Sequence, residues 1–247
     1  MADAGAPRIG GANPDGLIRA VLTGRLAPLG RHGVASGICK KPLDGTVKVT
    51  REGLCGDEQG DKKHHGGPEK AVHHYPYDHY PFWRQHLPEL QQDLFREGGF
   101  GENVSTVGLT EFNVCVGDIY RVGDTLLQVS QARQPCWRLN ERFGEAAMAQ
   151  RVQDTALTGW YYRVLEEGCM EAGDRMKLVE RPAEDWSLQR VLRILYQDTL
   201  NRGELAQLAQ LSVLTESWRE LARRRLEHGV VEDWSRRLIT PEKIPLS

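Results

Sequence analysis

Two periodicities divide this chain. As far as about Arg181, short apolar runs alternate with Gly-Asp and Gly-x turns; beyond Glu184 the apolar positions regroup into a helical stripe. The clearest stretch of the first kind is Val116 to Gln131. There Leu127 and Val129 share one face at period two, and Gly123-Asp124 has the chemistry of a hairpin turn. Thr46 to Thr50 alternates in the same way. The pattern also predicts two helical insertions, Asp78 to His86 or beyond and Phe143 to about Asp154. Short strands with this many turns predict a mainly β fold with helical insertions, a barrel or sandwich rather than a doubly wound sheet.

The second periodicity predicts a small all-α unit. Leu188, Val191, Leu192 and Leu195 follow the i, i+3, i+4, i+7 stripe of an amphipathic helix. Asn201 with Glu204 three residues on has the form of a capping box, opening a helix through Leu205 and Leu208. Ser212 or Thr215 opens a third helix carrying Trp218, Leu221 and Ala222. It ends with Arg223-Arg-Arg225 and Gly229, as the helix dipole and C-cap preferences favour. The expected organisation is a loose Gly/Ala/Pro-rich tail over 1–16, a barrel domain over 17–181, three helices over 184–229 and an extension over 230–247. The helical unit is expected to bury its Leu and Trp218 faces, and its removal at Pro182 to leave the barrel's ligand binding intact.

Composition narrows the function classes. The 247 residues carry 32 Lys plus Arg against 34 Asp plus Glu, a balance that argues against a dedicated polyanion binder. From Glu184 to His228 seven arginines face seven acidic residues. The helices therefore read as a packing module, and nucleic-acid binding is not expected. No apolar run is long enough to span a membrane and no export signal is visible, so a cytoplasmic protein is expected. The five cysteines, an odd number without a CxxC pair, argue against a disulfide framework and fit a reducing compartment.

Candidate chemistry concentrates in three segments. Six of eight histidines fall between 64 and 86, namely His64, His65, His73, His74, His79 and His86. Such density suggests a metal or anion site. Adjacent His64 and His65 point to opposite faces of an extended chain, which disfavours a shared zinc ion, and no HExxH pair is present. Gly66-Gly67 with Lys70 suggests a cradle for an anion or phosphate, the glycines letting backbone N–H groups approach a ligand. In Gln131 to Asn140, Cys136 is flanked by Arg133 and Arg138, two guanidinium groups that would favour a thiolate. Cys39, Cys55, Cys115 and Cys169 lack such flanks and read as small buried apolar residues. Asn103, in the Gly-rich bend Phe100-Gly-Glu-Asn, either reads a ligand or satisfies the turn.

Together, Gly56-Asp57…His65-Gly-Gly-Pro-x-Lys70-Ala-Val, Phe100-Gly-Glu-Asn103 and Arg133-x-Pro-Cys136 resemble the MOSC-domain family. Gly159-Trp160-Tyr-x-Arg163 and the three-helix tail are similar to its YiiM-type branch. The resemblance implies a MOSC-type β-barrel whose positively charged pocket holds the molybdenum cofactor (molybdopterin), with Cys136 as the molybdenum ligand. Pyridoxal-phosphate binding is a further expectation for domains of this kind. The resemblance also implies reduction of small N-hydroxylated compounds, such as N-hydroxylaminopurine-type base analogues, to amines. The electrons would come from a partner reductase, because no GxGxxG fingerprint for a bound nicotinamide or flavin is present. In that reading Cys136, His65 and Arg133 are catalytic, and Lys70, Gly66, Gly67, Asn103, Arg138 and His64 bind the cofactor; a homodimer is compatible with it. The alternative is a cofactor- or sulfur-handling carrier using a Cys136 persulfide, and a third reading is a zinc hydrolase built on the histidines.

Overall fold

The computed structural model describes residues 15–60 and 66–242; residues 1–14 of the expected 1–16 tail lie outside them, and so do His64 and His65. Seven strands form a closed barrel: β1 (Gly16–Thr23), β2 (Val72–Pro76), β3 (Val104–Val107), β4 (Ile119–Val122), β5 (Thr125–Ala132), β6 (Trp160–Glu166) and β7 (Arg175–Glu180). Around the ring their order is β1-β3-β2-β6-β5-β4-β7, and β7 returns to β1 through Gly16 opposite Met176. Every pairing is antiparallel except that of β2 with β3. Of the two architectures expected, the barrel is the one formed, and the β7–β1 pairing removes the free edges a sandwich would keep. Gly123-Asp124 is the turn between β4 and β5, as its chemistry predicts. Gly16, placed by sequence in the loose tail, already belongs to β1.

The insertions sit on one side of the barrel. A 3₁₀ turn over Tyr77–His79 runs into α1 (Tyr80–His86). The second insertion is two helices rather than one, α2 (Arg138–Phe143) and α3 (Met148–Thr155). Gly144 divides them, because its left-handed φ of 67° ends α2. An aromatic core including Tyr75, Tyr80, Trp83, Phe100 and Phe143 packs these helices on the barrel.

The C-terminal region forms α4 (Leu188–Tyr196), α5 (Arg202–Gln210), α6 (Glu216–His228) and the short α7 (Ser235–Leu238). The predicted stripe residues of α4 are all fully buried, in one apolar cluster that also holds Trp218, Leu221, Tyr120 and Val129 of the barrel. Asn201 caps α5 by accepting from Glu204 N at 3.2 Å. The reciprocal half of the capping box is not made, since the Glu204 carboxylate turns to Arg190 and Arg193. The arginine triplet is no basic face: Arg223 pairs with Glu216 and Glu220, and Arg225 is buried and donates to Leu195 O and Glu232. No helix among the described residues is long and apolar enough to cross a membrane.

Candidate functional site

A half-open cleft of about 600 Å³, counting the solvent space at its mouth, lies beside the barrel. Its walls come from four segments far apart in sequence: Ser36 to Lys40, Asp57 to Gly60, Phe100 to Asn103, and the loop from β5 to α2. Lys70, His73 and Tyr161 complete it. Lys70, Asn103, Arg133, Cys136 and Arg138, five of the residues expected to act together, thus line one cavity. Gly67 opens instead onto a neighbouring cavity that shares Asp57, Glu58 and Gln59 with the cleft; Gly66 lines neither. A Cβ on Gly67 would meet no atom within 4 Å, so its glycine serves a φ of 88° rather than a close backbone approach. The tight approach falls elsewhere, at Gly37, where a Cβ would meet Glu58 O at 1.9 Å.

Cys136 is 6% exposed and sits in the irregular segment between the end of β5 and α2. Arg133 follows β5 directly, and its N–H bonds Gly159 O at 2.9 Å, so the strand pair aims its side chain into the cleft. That side chain is 5% exposed, yet Nη1 has no hydrogen-bond partner among the described residues. His73, from β2, is also 5% exposed with Nε2 unpartnered, its ring 5.0 Å from that of Tyr161. Burial, reinforced by the nearby Arg133 charge, holds His73 well below the usual histidine range, so it is neutral. Burial pushes the Tyr161 phenol up, and Arg133 beside it partly offsets this. Buried polar groups in native proteins are nearly always paired, so two unpaired ones on one cleft wall mark a surface built to meet a ligand.

Beneath the cleft lies a polar scaffold whose bonds the sequence did not reveal, although Asp57, Glu102 and Asn103 stand in its motifs. The Asp57 carboxylate pairs with Lys40 and accepts from Gly24 N (2.8 Å) and Asn103 Nδ2 (2.8 Å). Desolvation lowers the Lys40 pKa, while Asp57 opposes that shift. Asn103 Nδ2 also donates to Leu22 O (3.2 Å), and its Oδ1 accepts from His73 N (3.0 Å). Both ends of this amide make bonds within the protein, to distant segments rather than within its own bend, so Asn103 ties β1, β2 and Asp57 together at the cleft wall. Glu102 accepts from Tyr80 Oη, Gly98 N and Phe100 N, and so folds the bend that presents Phe100 and Gly101. Its carboxyl pKa is raised by burial. The Gly-Asp and Phe-Gly-Glu-Asn motifs were the available signal for these residues.

The described histidines do not converge. His74 is stacked on Trp160, with Tyr162 Oη and Thr106 Oγ1 at its two nitrogens. His79 pairs with the buried Glu111 at 2.6 Å, and His86 is exposed. Among the described residues no group of three His, Cys, Asp or Glu side chains is arranged to hold a metal ion. None of the five cysteines is in a disulfide, and beside Cys136 only Cys115 is buried. Burial pushes the Cys115 thiol up to about 12, as an inert core thiol should be. Cys55 is exposed and Cys39 and Cys169 half-buried, which corrects the expectation of burial for those three.

Comparison with known proteins agrees with this layout. Residues 61–177 match the family described as MOSC domain, and residues 186–229 match the YiiM-like, 3-alpha helix domain. Protein YiiM of Escherichia coli (strain K12) is 41% identical over 218 residues, 88% of this chain and 96% of that protein. A protein named Reductase from Gibberella moniliformis is 39% identical over 85% of this chain, which spans 37% of that longer protein. The crystal structure of YiiM from Escherichia coli matches with a TM-score of 0.74 at 38% identity, over 87% of this chain and 99% of that one.

Proposed function

The chain belongs to the MOSC-domain family, with the YiiM-like three-helix domain following the barrel, and from that premise we propose that it is a reductase of N-hydroxylated compounds. The proposed cofactor is molybdopterin-bound molybdenum, held in the cleft with Cys136 as the protein's ligand to the metal. The observation that carries the reading is the pair of unpartnered buried atoms, Arg133 Nη1 and His73 Nε2, on the same wall as Cys136.

The residues fit such a group. A thiolate suits a soft transition metal, and Lys70, Arg133 and Arg138 supply charge for a phosphate. When bound, the cofactor supplies the two electrons of R–NH–OH + 2 e⁻ + 2 H⁺ → R–NH₂ + H₂O. Arg133 offers Nη1 to an oxygen that gains charge as its N–O bond weakens. Neutral His73 offers Nε2 as an acceptor for an N–H or O–H of the bound molecule. Asn103, occupied by its scaffold bonds, holds His73 and Asp57 in place rather than touching the ligand. Electrons would arrive from a separate protein, a reading to which the longer fungal Reductase lends support.

The carrier alternative uses the same cysteine, but a persulfide must be handed to an acceptor protein, and a thiol only 6% exposed is poorly presented for that. Intact mass after incubation with a cysteine desulfurase separates the two: a labile gain of one sulfur mapped to Cys136 favours the carrier. The zinc reading loses its basis among the described histidines, which point into separate environments. The decisive experiment is element-resolved metal analysis of protein made in a cofactor-producing host, joined to reduction of an N-hydroxylamine with an artificial electron donor. Molybdenum and turnover are expected together. Protein that retains no molybdenum, even after reconstitution with free cofactor, overturns the proposal.

A further inference from the structure

We propose that Arg237, in the segment that follows the three-helix domain, is a positioning residue for the Cys136 loop. Residues 230–242 lie outside both matched stretches, 61–177 and 186–229. Yet this segment crosses back to the cleft, and one residue in it holds the chain on both sides of Cys136. Arg237 Nη1 donates to Pro135 O, and Arg237 O accepts from Trp137 N at 2.7 Å. The loop from Arg133 to Cys136 is in no strand or helix. Without a ladder, its buried peptide groups need partners from elsewhere, and Arg237 provides them with its side chain and its own carbonyl.

Arg237 is itself held from several directions. Its guanidinium also reaches Gln153 Oε1 on α3 and lies 5.7 Å from the ring centre of Tyr196 on α4. Tyr196 meets Trp234 edge-on at 5.7 Å, and Trp234 Nε1 donates to Glu232 at 2.8 Å. Glu232 in turn accepts from the buried Arg225 of α6. A second pin lies one residue on, where Asn140 Nδ2 donates to Leu238 O at 2.8 Å and the Leu238 side chain is buried. The path from α6 to the residues flanking Cys136 is therefore one of packed rings and hydrogen bonds throughout. The helical domain thereby carries the strap that sets the thiol's loop. The expectation that removal at Pro182 would leave ligand binding intact is replaced accordingly, because that cut removes Arg237.

The inference rests on the proposed role of Cys136, but its test reads only a thiol and an amide, so its failure is distinct from failure of the molybdenum reading. In the full-length wild-type chain, hydrogen exchange should show the Trp137 amide protected and exchanging as one unit with the amides of Leu238 and Ile239. In metal-free Arg237→Ala, iodoacetamide at one fixed neutral pH should alkylate Cys136 about tenfold faster than in wild type, with exposed Cys55 unchanged as internal reference. Arg237→Lys, which keeps the charge but not the fork serving Pro135 and Gln153 together, should fall between them. Arg236→Ala, at the exposed neighbour, should leave the rate alone. A wild-type Cys136 rate in folded Arg237→Ala overturns the proposal. So does a Trp137 amide that exchanges independently of the strap, a measurement that decides the matter even if the variant does not fold.

Discussion

Replacing Asn103 by alanine separates a scaffold from a ligand contact. The side chain makes three hydrogen bonds: to the Asp57 carboxylate at 2.8 Å, to Leu22 O at 3.2 Å, and from His73 N at 3.0 Å. A neutral bond contributes about 1 kcal/mol net and one to a charged group about 1.5–3 kcal/mol, so the three sum to about 4 kcal/mol. All three partners would be left without this bond beneath the cleft, which keeps the loss at the upper end. Barrel and helices share one apolar cluster, so urea unfolding followed by tryptophan fluorescence should give one main transition. With a slope of about 3 kcal/mol per M for a chain of this size, its midpoint should fall by about 1 M or slightly more. Asn103→Asp should be at least as damaging near neutral pH, since it loses both N–H donors and sets a second carboxylate against Asp57. An alanine variant within about 0.5 kcal/mol of wild type that loses only cofactor would refute the scaffold reasoning and return Asn103 to the ligand's side.

Cys136→Ser should abolish molybdenum retention and turnover while shifting stability by less than about 1 kcal/mol, whereas serine at exposed Cys55 should change neither; full activity with metal still bound in Cys136→Ser sinks the assignment. Trp218→Ala, which empties a site in the cluster joining helices to barrel, should cost about 3–5 kcal/mol in chemical denaturation, and a cost under about 1 kcal/mol would mean the helices are not part of that core. Burial holds His73 and His74 well below 6.5 in the folded state. The unfolded chain therefore binds more protons below that pH, and stability present above it is lost as pH falls, at up to about 1.4 kcal/mol per pH unit for each histidine. His74→Gln should remove about half of that combined slope; an unchanged acid limb argues against a buried neutral His74.

What could be read from sequence was local. The Gly123-Asp124 hairpin, the α4 stripe, the Asn201 cap and the Gly229 stop are each set by neighbours within a few residues, and each formed. The split at Gly144 was missed because the apolar pattern runs on past a residue whose left-handed conformation ends the helix. Barrel closure had no local signal, since β1 meets both β3 and β7 and the β2–β3 contact is parallel. The same holds for the cleft. Lys70, Arg133, Cys136 and Arg138 stood out by residue type and by family likeness. His73 stood out only as one of a histidine cluster that does not converge; Lys40 and Tyr161 enter because distant segments meet, and Arg237 because a terminal segment folds back across the molecule.

The β1–β7 seam has a consequence for how the chain reaches this state. Gly16 pairs with Met176, about 160 positions later, so the ring has a high contact order and cannot close until almost the whole barrel sequence is available. On the ribosome, β1 emerges long before its second neighbour, and a nascent chain halted short of Arg175 carries two unpaired strand edges. Helices α4 to α6, which pack on barrel residues such as Tyr120 and Val129, are made after β7 and can dock only once β4 and β5 are in place. Chaperone dependence of this protein should therefore concentrate in the interval between synthesis of β1 and release of β7, and should ease once the strands are joined.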